Sequence, residues 1–284
     1  MQGRIIAHHF GPYLAFAEQK TYILHYPKTN KHETKPTVGD IVEFDPLTEQ
    51  ITAIGNRKNH INRPHLANLD LLFIVSSIIE PEYSLLLNLK FLTFALFHAL
   101  NPVLILTKSD IKSPSARMDK HVSYLKTSGI PTIAFDTQSR DGLPIIQTSL
   151  KHKVVAFAGQ TGVGKSSIIN AISPSFQRSI GSYSQALGRG KHQTKEVILV
   201  PYEEGFIADT PGFSSLDLNI LPIEFAIYFP GFKSRFGQCK FSNCLHDQEL
   251  NCIVKDDVKH GKIPLDVYEV YCTLLKSLPK RKPQ

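Results

Sequence analysis

"VLILTKSDI", residues 103–111, is the stretch whose reading decides the fold. An apolar run ends in Thr107, Lys108, Ser109 and Asp110, the Asn/Thr-Lys-x-Asp pattern that reads a guanine base. A carboxylate at Asp110 can accept from both the ring N–H and the exocyclic amine of guanine, a donor pair that adenine lacks. Lys108 can lay its apolar stem along the base, and Thr107 can hydrogen-bond across to a phosphate loop. A helix start capped by Ser109 or Asp110 would use the same letters. The rest of the chain has to decide between the two.

Downstream, "GQTGVGKSS" at 159–167 matches G-x-x-x-x-G-K-S/T through Gly159, Gly164, Lys165 and Ser166. Glycines at 162 and 164 let successive backbone N–H groups turn toward a phosphate. The helix that opens at "KSSIINAI" adds its N-terminal dipole. Lys165 brings positive charge to the β- and γ-phosphates, and the Ser166 hydroxyl can ligate Mg²⁺. Gln160, Thr161, Val163 and Ser167 complete the predicted loop. Further on, "IADTPGF" puts Asp209 at a strand end, where it can hold Mg²⁺ through water, and lets Gly212 offer its N–H to the γ-phosphate. Thr194, in "GRGKHQTKEV", is placed for the second Mg²⁺ hydroxyl of a switch loop.

In an ordinary Ras-like domain the phosphate loop precedes the base motif. Here the base motif comes first and "DTPG" last. Joining the ends of such a domain and cutting it elsewhere leaves the packed site unchanged, since termini sit at the surface and close together. The apolar runs "DLLFIVS", "PVLIL", "PTIAF", "KVVAFAG", "EVILV" and "GFIAD" alternate with helical patterns, which predicts a mostly parallel sheet covered on both faces. The "PYEEG" connection is too short for a crossover and predicts an antiparallel hairpin.

Residues 1–62 read as five short strands separated by Gly-Pro, Gly-Asp and Asp-Pro turns. That pattern suits an OB-fold barrel, with a generic SH3-like barrel as the plain alternative. "NRKNHINRPH" at 56–65 reads as a basic linker. The apolar stretch "YSLLLNLKFLTFALFHAL" carries Asn88, Lys90 and His98, so it is expected as a buried helix rather than a membrane span. "PLDVYEVYCTLLKSL" at 264–278 is expected as an amphipathic helix.

With 32 basic and 25 acidic residues the net charge is +7, which favours an anionic partner. The N-terminus lacks the apolar core of a signal peptide, so a cytosolic chain without disulfides is expected. The four cysteines then need another explanation. Cys239, Cys244, His246 and Cys252, spaced C-x4-C-x-H-x5-C, supply thiolate and imidazole at a density that suits a closed tetrahedral, structural Zn²⁺ site.

Taken in order, "RKNHINRPHLANLD", "LTKSD", "GQTGVGKSSIIN", "GRGKHQTK", "DTPGFSS" and the Cys/His cluster resemble the ribosome small-subunit-dependent GTPase A family across nearly the whole chain. The resemblance implies an OB-fold RNA-binding barrel at 1–62, a circularly permuted Ras-like α/β GTPase domain at 63–222 and an α-helical zinc domain at 223–284. It also implies a cytoplasmic monomer that binds GTP and GDP, hydrolyses GTP with Mg²⁺, and acts on the small ribosomal subunit and its RNA. Two positions depart from the family pattern. "AFDTQSRDGL" puts Asp136 and Thr137 where the guanine-carbonyl loop carries Ser and a small residue, and Gln193 replaces a smaller residue.

Ras-type enzymes orient water with Gln after D-x-x-G, but Phe213 stands there and has no donor or acceptor. His192 in the switch loop is the candidate for that role, with an exposed loop histidine as the alternative. Lys165, His192 and Thr194 form the expected catalytic set. Arg57, Lys58, Arg63 and the tail residues Lys280, Arg281 and Lys282 are candidate phosphate contacts, with solvated charge as the alternative.

Overall fold

The computed structural model describes residues 1–8, 11–27, 35–109, 115–186, 197–210, 213 and 216–279. Asp110, His192, Gln193, Thr194, Gly212, Lys280, Arg281 and Lys282 lie outside the described residues. The chain divides into two compact units, Met1–Leu71 with Leu143–Phe157 and Ser166–Phe213, and Leu72–Gly142 with Ala158–Lys165 and Ser214–Gln284.

In the first unit, β1 (Gln2–His8), β2 (Tyr13–Ala17), β3 (Lys20–Leu24), β4 (Ile41–Asp45) and β5 (Gln50–Ile54) form a five-stranded sheet, order β3-β2-β1-β4-β5. A parallel bridge closes it. His25 donates to the Glu49 carbonyl at 2.8 Å, and its own carbonyl accepts from Ile51 at 2.9 Å. This is the strand order of an OB barrel, partly closed where the β3 end meets β5. A register shift between Ile5 and Ala7 bends β1 as it passes from β4 to β2. The stretch 56–65, expected as a linker, instead contributes to a short hairpin, β6 (His60–Asn62) with β7 (His65–Ala67). Its Arg57 is held by Asp40, through Nε and Nη2 at 2.7 Å each, and Lys58 pairs with Asp70. Both cations therefore answer carboxylates of this chain.

The same unit holds β11 (Val154–Ala158), β12 (Ile198–Tyr202) and β13 (Gly205–Asp209), in the order β11-β13-β12. β11 and β13 are parallel, and β12 and β13 form the expected antiparallel hairpin. The Phe206 ring on β13 meets Phe16 of the barrel edge-on at 5.8 Å, and the Arg4 guanidinium lies over its face at 5.4 Å.

In the second unit, β8 (Leu71–Ser77), β9 (Asn101–Thr107) and β10 (Thr132–Phe135) run in the order β10-β9-β8. β8 is buried along its whole length, as a strand covered on both faces requires. Helix α1 (Leu85–Phe97) starts at Ser84, whose Oγ accepts from the Leu87 N–H at 3.3 Å. Its buried Asn88 donates to Ser76 Oγ of β8 at 3.1 Å, so the polar residue inside this apolar helix is a tie to the sheet. Helix α2 (Ala116–Thr127) is capped in the same way by Ser115. Among the described residues no helix is long and apolar enough to cross a membrane.

Helices α3 (Leu143–Leu150), α4 (Lys165–Ile172) and α5 (Phe176–Ala186) follow in chain order. Beyond the strands come α6 (Pro222–Tyr228), a 3-10 turn at Lys233–Arg235, α7 (Ile253–Lys259) and α8 (Leu265–Ser277). Phe225, Phe229, Phe232 and Tyr271 pack ring against ring at centroid distances of 4.7–5.5 Å and make the core of this C-terminal part.

Candidate functional site

The phosphate loop leaves β11 at Gly159, whose φ of 139° lies where side-chain-bearing residues rarely go; a Cβ there would stand 2.2 Å from the Val75 carbonyl oxygen of β8. Glycine is therefore demanded twice, by conformation and by close backbone approach. Gly162 and Gly164 also have positive φ, of 85° and 99°. The Lys165 ammonium donates to the carbonyls of Gly159 and Gln160, at 2.6 Å each, closing the loop on itself. Burial lowers the Lys165 pKa. That desolvated charge is what an entering phosphate would relieve. Ser166 and Ser167 are exposed in the first turn of α4, while Val163 is buried.

The early motif reaches this loop directly. Thr107, the last residue of β9, is buried, and its Oγ1 donates to the Val163 carbonyl at 2.6 Å. Lys108 has a positive φ of 61° and its ammonium donates to the Glu80 carbonyl. The segment after β8 thus joins the site through a backbone carbonyl and through Pro81, whose Cδ lies 3.7 Å from where a Cβ on Gly162 would stand. Sequence reasoning missed both residues. A carbonyl that any residue could offer leaves no signal in side-chain identity.

The loop after β10 turns on Asp136, whose carboxylate accepts from the N–H groups of Gln138 and Ser139 at 2.6 and 3.1 Å. Asp136 is a turn-forming residue. Asp209 ends β13, and burial raises its carboxyl pKa. Phe213 is buried at 1% exposure. Its ring occupies core where Ras-type enzymes expose a glutamine.

Cys239, Cys244, His246 and Cys252 come together with all ligand atoms within 4.8 Å of one another. Nδ1 of His246 lies 3.5 Å from Cys239 Sγ and 3.3 Å from Cys252 Sγ, and those two sulfurs are 3.9 Å apart. A tetrahedral zinc with Zn–S of about 2.3 Å and Zn–N of about 2.0 Å has S···S edges of about 3.8 Å and S···N edges of about 3.5 Å. The donor set therefore fits that ion in type and number, and the edges among Cys239, His246 and Cys252 match its spacing. Burial pushes the Cys244 thiol up to about 12 and lowers the pKa of the His246 imidazole. A cation at the centre would draw the thiols to thiolates.

The carboxylate of Glu249 accepts from the N–H groups of Leu245 and Asp247 at 2.7 and 2.9 Å, and Tyr268 and Tyr271 donate to the carbonyls of His246 and Leu245 at 2.8 and 2.5 Å. The knuckle is thus tied to α8 from outside. Cys272 of α8 is half-buried and is not one of the four.

Comparison with known proteins gives a consistent result. A family model described as RsgA GTPase matches residues 54–219. A "Small ribosomal subunit biogenesis GTPase RsgA" of Shouchella clausii is 38% identical over 258 residues, covering 89% of this chain and 88% of that protein. A protein of the same name from Malacoplasma penetrans is 40% identical over 249 residues, covering 86% of each. Among solved structures, YjeQ from Thermotoga maritima superposes with a TM-score of 0.81 at 29% identity over 97% of both chains. YloQ, described as a circularly permuted GTPase, gives 0.82 at 29% identity over 100% of this chain and 96% of that one.

Proposed function

The chain belongs to the RsgA GTPase family, and from that premise we propose that it is a GTP hydrolase of small ribosomal subunit biogenesis, stimulated by the subunit it acts on. The observation that best supports this reading is the Thr107–Val163 hydrogen bond, which ties the strand end carrying the early motif to the glycine-rich loop.

In this reading Asp110 reads guanine, Lys108 lies along it, and Thr107 holds the loop beneath. Residues 159–167 cradle the phosphates, with Lys165 supplying charge. Ser166, Thr194 and Asp209 hold Mg²⁺, which neutralises charge on the β- and γ-phosphates when bound. Gly212 offers its N–H to the γ-phosphate, and His192 positions the attacking water, a role the buried Phe213 leaves open. Cys239, Cys244, His246 and Cys252 hold one structural Zn²⁺. Four protein ligands leave no open position for chemistry.

The proposed division is an RNA-binding barrel at 1–62, the GTPase domain at 63–222 and the zinc domain at 223–284, working as a monomer in the cytoplasm on ribosomal RNA. In the GTP state Thr194 and Gly212 hold the switch loops in the RNA-binding conformation, and hydrolysis releases them. The test is GTP turnover with and without purified small subunits. Stimulation is expected; equal rates would sink the subunit-dependent part of the reading.

A further inference from the structure

We infer that a concave pocket of the first unit, walled by His8, Tyr13, Lys35, Arg57, His60 and His65, is a receptor for one unpaired nucleotide of RNA. The inference rests on the RNA-binding reading above and deepens it by naming the residues and the form of RNA. The cavity measures about 410 Å³, within the range of about 300–1,000 Å³ typical of small-ligand sites.

Its walls are built for a base. His8 and Tyr13 face each other across the β1–β2 pair, and their rings stack at 4.3 Å with planes 16° apart; Tyr13 is buried, so His8 is the more exposed ring of the pair. His60 and His65 stand on the two strands of the β6–β7 hairpin with rings near-parallel, 26° apart at 6.4 Å. Burial, then the nearby charges of Arg57 and His65, lower the His60 pKa. The two ring nitrogens of His60 can donate to or accept from a base edge. Lys35 is exposed at the rim and can meet a phosphate.

Arg57 contributes differently. Its Nε and Nη2 are spent on Asp40, and Nη2 also donates to the Lys35 carbonyl at 2.8 Å, which fixes the backbone that presents Lys35. Stacking rings, an imidazole edge and one exposed cation among the described pocket residues favour an unpaired nucleotide over a duplex, whose bases are stacked on each other.

The experiment measures binding of a short fluorescein-labelled single-stranded oligoribonucleotide to the full chain by anisotropy, over a salt series, beside pelleting with purified small subunits. His65 and Lys35 are exposed, so His65→Ala and Lys35→Ala test the pocket without opening a core. His65→Ala is expected to weaken oligonucleotide binding about tenfold, the scale of one lost base stack. Lys35→Ala is expected to lower the salt slope by about 0.7, one released counterion on single-stranded RNA.

An unlabelled duplex of the same sequence is expected to compete poorly. The pocket assignment is overturned if both variants match the parent, if the duplex competes as well as the single strand, or if the parent pellets with subunits yet binds no oligonucleotide. A parent that binds the oligonucleotide through these residues but never pellets with subunits keeps the pocket and refutes the ribosomal reading instead.

Discussion

The Thr107 hydroxyl donates to the Val163 carbonyl at 2.6 Å, so the end of β9 and the floor of the phosphate loop are held by one buried hydrogen bond. Thr107→Val keeps the shape and removes the donor, leaving a buried carbonyl unsatisfied at a cost of about 1–3 kcal/mol. Part of that cost falls on the nucleotide-bound loop, so GDP affinity is expected to drop by about tenfold. A fluorescent GDP analogue titrated into parent and variant checks this. Equal affinities would mean the bond does not shape the site.

Base selectivity is checked at Asp110. An amide at this position can donate to the extra carbonyl of xanthine and can no longer accept from both guanine donors. Asp110→Asn is therefore expected to move preference from GTP to XTP in competition binding. A parent that binds ATP as well as GTP would remove the base-site assignment altogether.

What was legible in the sequence divides along a physical line. The parallel strands were plain because strands buried on both faces must be continuously apolar, as in Leu71–Ser77 and Val154–Ala158. The phosphate loop was plain because backbone geometry fixes its glycines, and Gly159 has room for nothing else against Val75. The β6–β7 hairpin was hidden because His60–Asn62 and His65–Ala67 are three residues each and carry little alternation. Glu80 and Pro81 were hidden because they serve through a carbonyl and a ring edge brought near by folding. The four metal-site residues were legible as a set, while the tyrosine bonds that anchor their backbone from α8 were not.

The metal cluster makes a prediction of content and of stability. Purified chain is expected to carry one zinc per molecule by elemental analysis, and a strong chelator is expected to lower its melting temperature. Cys252→Ser removes a buried ligand and is expected to lose the metal, with a stability loss on the scale of several kcal/mol for this module. A metal-free parent that melts where the zinc-loaded one does would remove the structural role.

Acid stability is tied to Asp257. Burial works against its charge, but hydrogen bonds from Arg235 at 2.6 Å and from Lys262 at 3.0 Å prevail and hold its pKa below the ordinary value. A depressed folded-state pKa gives stability that is fully present above the unfolded value of about 3.9 and is lost as pH falls through the folded one. Asp257→Asn is expected to cost about 1–3 kcal/mol at neutral pH, the scale for charge-assisted hydrogen bonds. The gap from the parent should narrow below the unfolded value and close as pH falls through the folded pKa. Denaturant unfolding at neutral and at strongly acidic pH checks this, and a pH-independent gap would assign the loss to packing.

Hydrolysis itself turns on what replaces the water-orienting glutamine. Phe213 is buried, so neither its chemistry nor its placement lets it touch an attacking water. A side chain with a ring nitrogen in the preceding switch segment can accept a hydrogen bond from water, and His192 is the histidine placed there by sequence. His192→Ala is expected to reduce subunit-stimulated single-turnover hydrolysis by about 10²–10⁴-fold, the range for a positioned acid–base group, while GTP affinity stays near that of the parent. Phe213→Gln in the same background is not expected to rescue the rate, because a residue at 213 points into core. An unchanged stimulated rate in His192→Ala would move the water-positioning role off this chain's histidine and onto the subunit that stimulates it.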